Sequence, residues 1–160
     1  MSSISEQIFG TETGHDPGGP LAALIAFYRG FNARDLDSLA GTWLDGADPS
    51  MSNPIGGLRR GWPSIREGYA RLFQGPARVT VAFHDFTMQG DDRACLFVGR
   101  EKGRCAWPGG EIALRIRTTR WFVHRNGTWR QLHHHGSIEE PALLAAYQRS
   151  ILGTEQASAS

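Results

Sequence analysis

Three consecutive histidines, His133, His134 and His135, sit in the most strongly patterned segment of the chain, Trp129-Arg-Gln-Leu-His-His-His-Gly-Ser137. Imidazole exchanges a proton near neutral pH and also ligates transition metals, so this run is the first place to look for chemistry. On an extended strand alternate side chains leave on opposite faces: His133 and His135 share one side and His134 takes the other. At most two of them therefore reach one ion. His84, Asp85 and His124 stand at no spacing that demands a third ligand, so neither a metal nor any other cofactor is expected. Asn53 precedes Pro54 in Ser52-Asn-Pro-Ile-Gly-Gly57, where its amide either bonds the turn backbone or orients a ligand.

The elements that must position these groups follow from the hydrophobic period. Pro20 opens a segment in which Leu21, Leu24, Phe27, Tyr28 and Phe31 recur at helical spacing, predicting a first helix that ends near Asn32. Asp35 caps a second helix, with Leu36, Leu39, Ala40 and Trp43 on one face and Gly46 at its exit. A third follows Trp62-Pro63, with Ile65, Tyr69, Leu72 and Phe73 in a buried stripe. From Ala77 the period becomes two. Val79 to Met88, Arg93 to Cys105, Glu111 to Arg125 and Trp129 to Ile138 read as strands of an antiparallel meander, the last two joined by Asn126-Gly127, a strong tight-turn signal. In the third strand Ile112, Leu114, Ile116, Thr118, Arg120 and Phe122 form the core side. An amphipathic segment from Pro141 to Leu152 closes the pattern. Helices segregated from an antiparallel sheet make the fold α+β, and a strongly curved sheet leaves a cone with a central pocket between it and the three N-terminal helices.

Composition bounds what such a domain does. With 160 residues and 40% hydrophobic side chains the chain is long enough to bury a core as a single domain. We read residues 1–19 as a flexible arm with at most a short turn at Ile8-Phe9, 20–152 as the domain, and 153–160 as a polar tail. The 17 basic and 16 acidic residues give a net charge of +1 without a block of either sign, which argues against a nucleic-acid partner. No apolar run approaches a membrane span and no leader pattern is present, so a cytoplasmic protein without a membrane partner is expected. Cys95 and Cys105 read as buried thiols.

Three passages together resemble the nuclear transport factor 2-like superfamily, which includes SnoaL-like cyclases, ketosteroid isomerases and the association domain of calmodulin-dependent protein kinase type II. They are Tyr28-Arg-Gly-Phe-Asn-Ala-Arg-Asp-Leu-Asp37, Asn53-Pro-Ile-Gly56 with Gly61-Trp-Pro-Ser-Ile65, and Trp129 with His133, His135 and Ser137. The resemblance runs from about Leu21 to Ser137. Ketosteroid isomerases carry an Asp base just before a Pro-x-Gly like Pro54-Ile-Gly56, whereas this chain has Asn53, whose amide cannot accept a substrate proton at neutral pH. Their oxyanion-hole tyrosine falls at Phe27 and the partner acid near Thr119, so standard ketosteroid isomerisation is not implied. Tyr28 does not replace that tyrosine, because it points about 100° away around the helix.

The kinase association domain is similar in its pocket arginines, which match Arg100, in Ala94-Cys-Leu-Phe-Val-Gly-Arg100, and Arg120; a third falls at Gly136. Leu96 and Val98 share Arg100's side, and Ile116 and Phe122 bracket Arg120, so both guanidinium groups are expected on an otherwise apolar face. There they either snorkel to the rim or form a fork for a small anion. The resemblance also places Leu132, His134 and Gly136 towards the pocket. Trp129, Gln131, His133, His135 and Ser137 fall on an outer face through which a homodimer forms. It implies a small-molecule-binding protein whose pocket suits an apolar or aromatic carboxylate or carbonyl compound. Either it is a cofactor-free isomerase, cyclase or dehydratase, or it is a non-catalytic dimeric binding or association module. In the catalytic reading His134 moves the proton, Asn53 and Tyr28 orient the substrate, Arg100 and Arg120 hold the anion, and Phe27, Phe31, Trp62 and Tyr69 line the wall.

Overall fold

The computed structural model describes residues 6–153; the chain's first five residues and the expected polar tail from 154 lie outside the described residues. The elements are α1 (Pro20–Asn32), α2 (Leu36–Ala40), β1 (Ser50–Ser52), β2 (Arg59–Arg60), α3 (Trp62–Gln74), β3 (Arg78–Gly90), β4 (Ala94–Trp107), β5 (Gly110–Arg125), β6 (Thr128–Ser137) and α4 (Pro141–Leu152). Proline stands in the first turn of α1, α3 and α4, where its missing N–H has no partner to lose. The Asp35 carboxylate accepts from the Ser38 N–H at 3.1 Å and starts α2. That helix is shorter than its apolar pattern suggests. Trp43 leaves it because the chain is captured by β6: the Gln131 N–H donates to the Thr42 carbonyl at 2.7 Å and the Leu44 N–H to the Gln131 carbonyl at 3.0 Å.

The fold is α+β, with a six-stranded curved sheet of order β2-β1-β6-β5-β4-β3, N-terminal helices and one C-terminal helix. The four-stranded meander is present as predicted. The sheet is mixed rather than wholly antiparallel, because the turn-rich passage around Asn53 also supplies β1, parallel to β6, and β2, antiparallel to β1. A left-handed Asn126 (φ 53°) and Gly127 (φ 77°) make the tight turn between β5 and β6.

Two irregularities bend this sheet and decide which side chains face inwards. The β3–β4 register slips between His84 and Thr87, where Asp85 has φ 47°. Close to this bend the strands crowd: a Cβ at Gly103 would stand 1.9 Å from the Thr80 carbonyl oxygen, so only glycine fits there. The second slip lies between β5 and β6, where Trp121 faces His133 but Phe122 faces Gln131, leaving Leu132 as the extra residue. That bulge resets the alternation. Gln131, expected on the outer side, is fully buried, while Leu132 is half-buried and His134 and Gly136 face the interior.

The core lies between the inner face of the sheet and α1 and α3, with Trp43, Tyr28, Phe27, Phe83, Phe86, Phe97 and Phe122 as its largest fully buried side chains. Part of the expected N-terminal arm lies against the domain. Ile8 exchanges backbone hydrogen bonds with Phe83 at 2.7 and 2.8 Å, covering the β3 edge, and the Asn32 amide donates to both the Phe9 and the Val81 carbonyls. No helix among the described residues is long and apolar enough to cross a membrane.

Candidate functional site

The inner face of β4 and β5 carries a charged pair where an apolar core would otherwise continue. Arg120 is 3% exposed and Glu101 5%, and Arg120 Nη2 meets Glu101 Oε2 at 3.2 Å. Each remaining polar edge finds a partner. Arg120 Nε donates to the Tyr28 hydroxyl at 3.0 Å and Nη1 to Gln131 Oε1 at 2.7 Å. Glu101 accepts from the Tyr28 hydroxyl at 2.8 Å and from the Thr118 hydroxyl at 3.0 Å. The guanidinium lies 3.8 Å from the centroid of the Phe27 ring, a cation–π contact that covers its flat face. Burial alone works against Arg120's charge, yet the Tyr28 and Glu101 oxygens outweigh it and hold its pKa above the ordinary arginine value. Burial pushes the Tyr28 phenol well above the usual tyrosine range, so it keeps its proton.

In front of this cluster lies a cavity of about 60 Å³, large enough for a few water molecules or a compact organic ligand. Phe31, Asn53, Tyr69, Glu101, Arg120, His134 and Tyr147 are among the residues that line it. His134 stands directly across the β5–β6 ladder from Arg120. Its Nδ1 lies 3.3 Å from the Thr119 carbonyl, which only accepts, so Nδ1 carries the hydrogen and Nε2 keeps its lone pair. Burial first, then the Arg120 charge, hold His134 well below its ordinary pKa, so it is neutral at pH 7. Asn53 Oδ1 accepts from the Ile55 N–H at 3.1 Å, making Asn53 the turn residue while it also lines the cavity. Burial raises Tyr69 to about 12, leaving it a donor. Two buried donors beside the cluster, Trp43 Nε1 and Gln131 Nε2, have no partner among the described residues.

The structure thus brings Phe31, Asn53, Tyr69, Arg120 and His134 to one cavity, with Phe27 and Tyr28 behind Arg120. Arg100 is not there. Its side chain, 55% exposed, leaves the outer face and pairs loosely with Asp85 and Glu139, each at 3.5 Å. The two-arginine fork therefore does not form. The odd-numbered residues Cys95, Phe97, Glu101 and Cys105 are the buried set of β4, while Val98 is exposed. Trp62 stacks on Trp43 with ring centroids 6.5 Å apart and lies outside the cavity. Gly136 opens little space, because Pro54, Ile116 and His134 atoms already stand 3.2–3.4 Å from where a side chain would begin.

Glu101, Thr118, Gln131 and Tyr147 are the site groups that sequence reasoning missed. For Glu101 the signal was present: it alternates with Cys95, Phe97 and Cys105, a carboxylate on an apolar stripe. His133 and His135 face outwards with rings 6.4 Å apart, and His133 Nδ1 is engaged by Ser50. Among the described residues no three His, Cys, Asp or Glu side chains converge as a metal would require.

This arrangement is embedded in a sequence that matches the SnoaL-like domain over residues 21–141. The chain belongs to the SnoaL-like domain family. Solved structures share its fold. A proposed dehydratase of the nuclear transport factor 2-like family from Streptomyces avermitilis superposes with a TM-score of 0.67 at 19% identity, covering 75% of this chain and 94% of that one. A ketosteroid isomerase-like protein from Erwinia carotovora gives 0.67 at 18% identity, with 76% and 95% covered. The CaMKII hub of S. rosetta gives 0.64 at 16%, with 79% and 98% covered. No curated protein matches the chain.

Two measurements check the electrostatics of this SnoaL-like site. Arg120→Met leaves Glu101 buried without its cation and is expected to cost about 3–5 kcal/mol in urea unfolding. Adding Glu101→Leu in the same chain should recover much of that loss, whereas additive losses would show the pair to be uncoupled. The second is pH-dependent. His134 is neutral when folded but titrates near 6.5 when unfolded, so its stabilisation is full above that pH and is lost as pH falls towards the depressed folded value. Between pH 6.5 and about 5 the melting temperature of wild type should therefore fall more steeply than that of His134→Gln; parallel curves would contradict the buried neutral imidazole.

Proposed function

We propose that this domain binds a compact, uncharged hydroxy-carbonyl compound in the cavity between Arg120 and His134, and that His134 Nε2 is the proton acceptor of cofactor-free chemistry on it. The carrying observation is that the Arg120 charge is already paired with Glu101. The three donor nitrogens of Arg120 face Tyr28, Gln131 and Glu101, so an entering carboxylate would place a second anion against Glu101 in a dry site. A neutral ligand avoids that cost. Tyr69 supplies a phenol to a carbonyl oxygen, the Asn53 amide presents a further donor, and His134 Nε2 accepts from a hydroxyl or an activated C–H. A weakly basic neutral imidazole suits a proton shift or a β-elimination of an activated substrate rather than removal of an unactivated proton. Isomerase, cyclase and dehydratase chemistry all fall within that class, and the dehydratase and isomerase-like names of two structural neighbours agree with it.

Thermal shift and ligand-observed NMR with 2-hydroxycyclopentanone and the similarly sized cyclopentanecarboxylate test this reading. The hydroxyketone is expected to stabilise wild type and the carboxylate is not. Asn53→Ala should weaken hydroxyketone binding by about tenfold, the worth of one hydrogen bond. Preferential carboxylate binding would overturn the proposal.

A second observation favours self-association as a homodimer. Outward-facing Leu96, Trp121 and His133 stand side by side on β4, β5 and β6, and Trp121 is 42% exposed. On this outer side the sheet also forms an open groove of about 830 Å³. Its cations, including Arg100, Arg115 and Arg117, are loosely paired with Glu139 and Glu140 at 3.5–3.7 Å. The groove is larger than the internal cavity, but it is open to solvent and holds no convergent buried donor or acceptor, so we assign it to assembly. Sedimentation velocity at micromolar concentration should give a dimer that Trp121→Asp dissociates; a wild-type monomer would remove this reading.

A further inference from the structure

We infer that α4 is the door of this cavity and that Tyr147 is the residue that decides which ligand enters, by its size and by a hydroxyl donated to the ligand's acceptor oxygen. The inference rests on the small-molecule reading above and deepens it.

Leu143, Leu144 and Ile151 of α4 pack half-buried on the core, and Tyr147, 4% exposed, is the helix's one buried side chain. It reaches the same cavity as Arg120, Glu101 and His134. Its hydroxyl differs from that of Tyr28. Tyr28 donates to Glu101 and accepts from Arg120, whereas no hydrogen bond satisfies the Tyr147 hydroxyl among the described residues. Burial, then nearby Cys105 and Glu101, raise its pKa, so the group stays a donor. A nearly buried phenol with an open donor on a cavity wall is a ligand contact waiting for an acceptor.

The helix is held by few polar links. Gln148 Nε2 donates to the Pro54 carbonyl at 3.1 Å, beside Asn53, and Ser150 Oγ lies 3.4 Å from Cys105 Sγ. At the hinge, Glu139 pairs with Arg100 at 3.5 Å and Arg117 at 3.6 Å, and Glu140 with Arg115 at 3.7 Å; all are exposed and therefore weak. Arg100 thus has a place at the hinge rather than in the pocket. With α4 docked about 60 Å³ remains, so a ligand larger than a compact one needs α4 to lift, and the phenol sets the limit when it closes.

Two readouts test this. The first is ligand-based, using 2-hydroxycyclopentanone and the larger 2-hydroxy-1-tetralone. Tyr147→Phe should bind the small hydroxyketone about tenfold more weakly than wild type, one lost hydrogen bond. Tyr147→Ala should bind the tetralone at least about tenfold more tightly than wild type does. Unchanged affinity in the first variant together with an unchanged size limit in the second overturns the assignment of Tyr147. The second readout needs no ligand: labelling of Cys105, buried beneath α4, by Ellman's reagent in a Cys95→Ala background. Gln148→Ala should accelerate it about tenfold, well beyond the rate of a variant substituted away from α4 with the same melting temperature. Equal rates overturn the door. Should no hydroxyketone bind wild type or any variant while labelling still accelerates, the ligand role of Tyr147 falls with the small-molecule reading and the motion of α4 stands.

Discussion

A buried ion pair organises this protein. Arg120 and Glu101 lie on adjacent strands inside the cone, where an unpaired charge would be prohibitive, so every group around them must be placed to answer one of their donors or acceptors. Tyr28 from α1, Gln131 from β6 and Thr118 from β5 do so, and Phe27 covers the guanidinium face. The cluster therefore ties a helix to three strands by geometry rather than by apolar contact alone. It also fixes the electrostatics of the cavity in front of it: the positive charge is paired before any ligand arrives, and burial, with the Arg120 charge second, keeps His134 unprotonated.

That cluster depends on two departures from regular sheet. The bulge at Leu132 turns Gln131 inwards beneath Arg120 while keeping His134 and Gly136 on the cavity side. Without the extra residue, strict alternation would send Gln131 out with His133 and leave Arg120 Nη1 short of an acceptor. The slip at Asp85 bends β3 against β4, and Glu101 of β4 meets Tyr28 of α1. The fold is shared with a proposed dehydratase and with a CaMKII hub, so the scaffold alone does not assign an activity.

Much of this was legible in the sequence. The helical period from Leu21 to Phe31 and from Ile65 to Phe73, the switch to period two after Ala77, the Asn126-Gly127 turn and the core side of β5 all follow from local sterics and burial, which act within a few residues. Those rules placed Arg120 and Thr118 inside and made the fold α+β, while three short passages carried the resemblance to the family. They also separated His134 from its neighbours correctly. Asn53 showed both its turn role and its place on the cavity because a side chain before proline has few conformations to choose from.

What the sequence could not decide is everything that depends on two strands meeting. For β4 the sequence pattern put Leu96 and Val98 with Arg100 on the inner face, whereas the register against β3 and β5 buries Cys95 and Phe97 with Glu101. The resemblance put Gln131 on the outer side in step with His133, but alternation fails at a bulge, which arises from pairing between strands and leaves no composition signal. Residues 6–19 read as a loose arm because their anchors, Asn32 and Phe83, come from elsewhere in the chain. Tyr147 read as a residue of an amphipathic helix; that its phenol closes a cavity depends on where α4 docks. Local chemistry fixes elements and their faces over a few residues, whereas a buried charge pair and the cavity beside it exist only once distant segments share one interior.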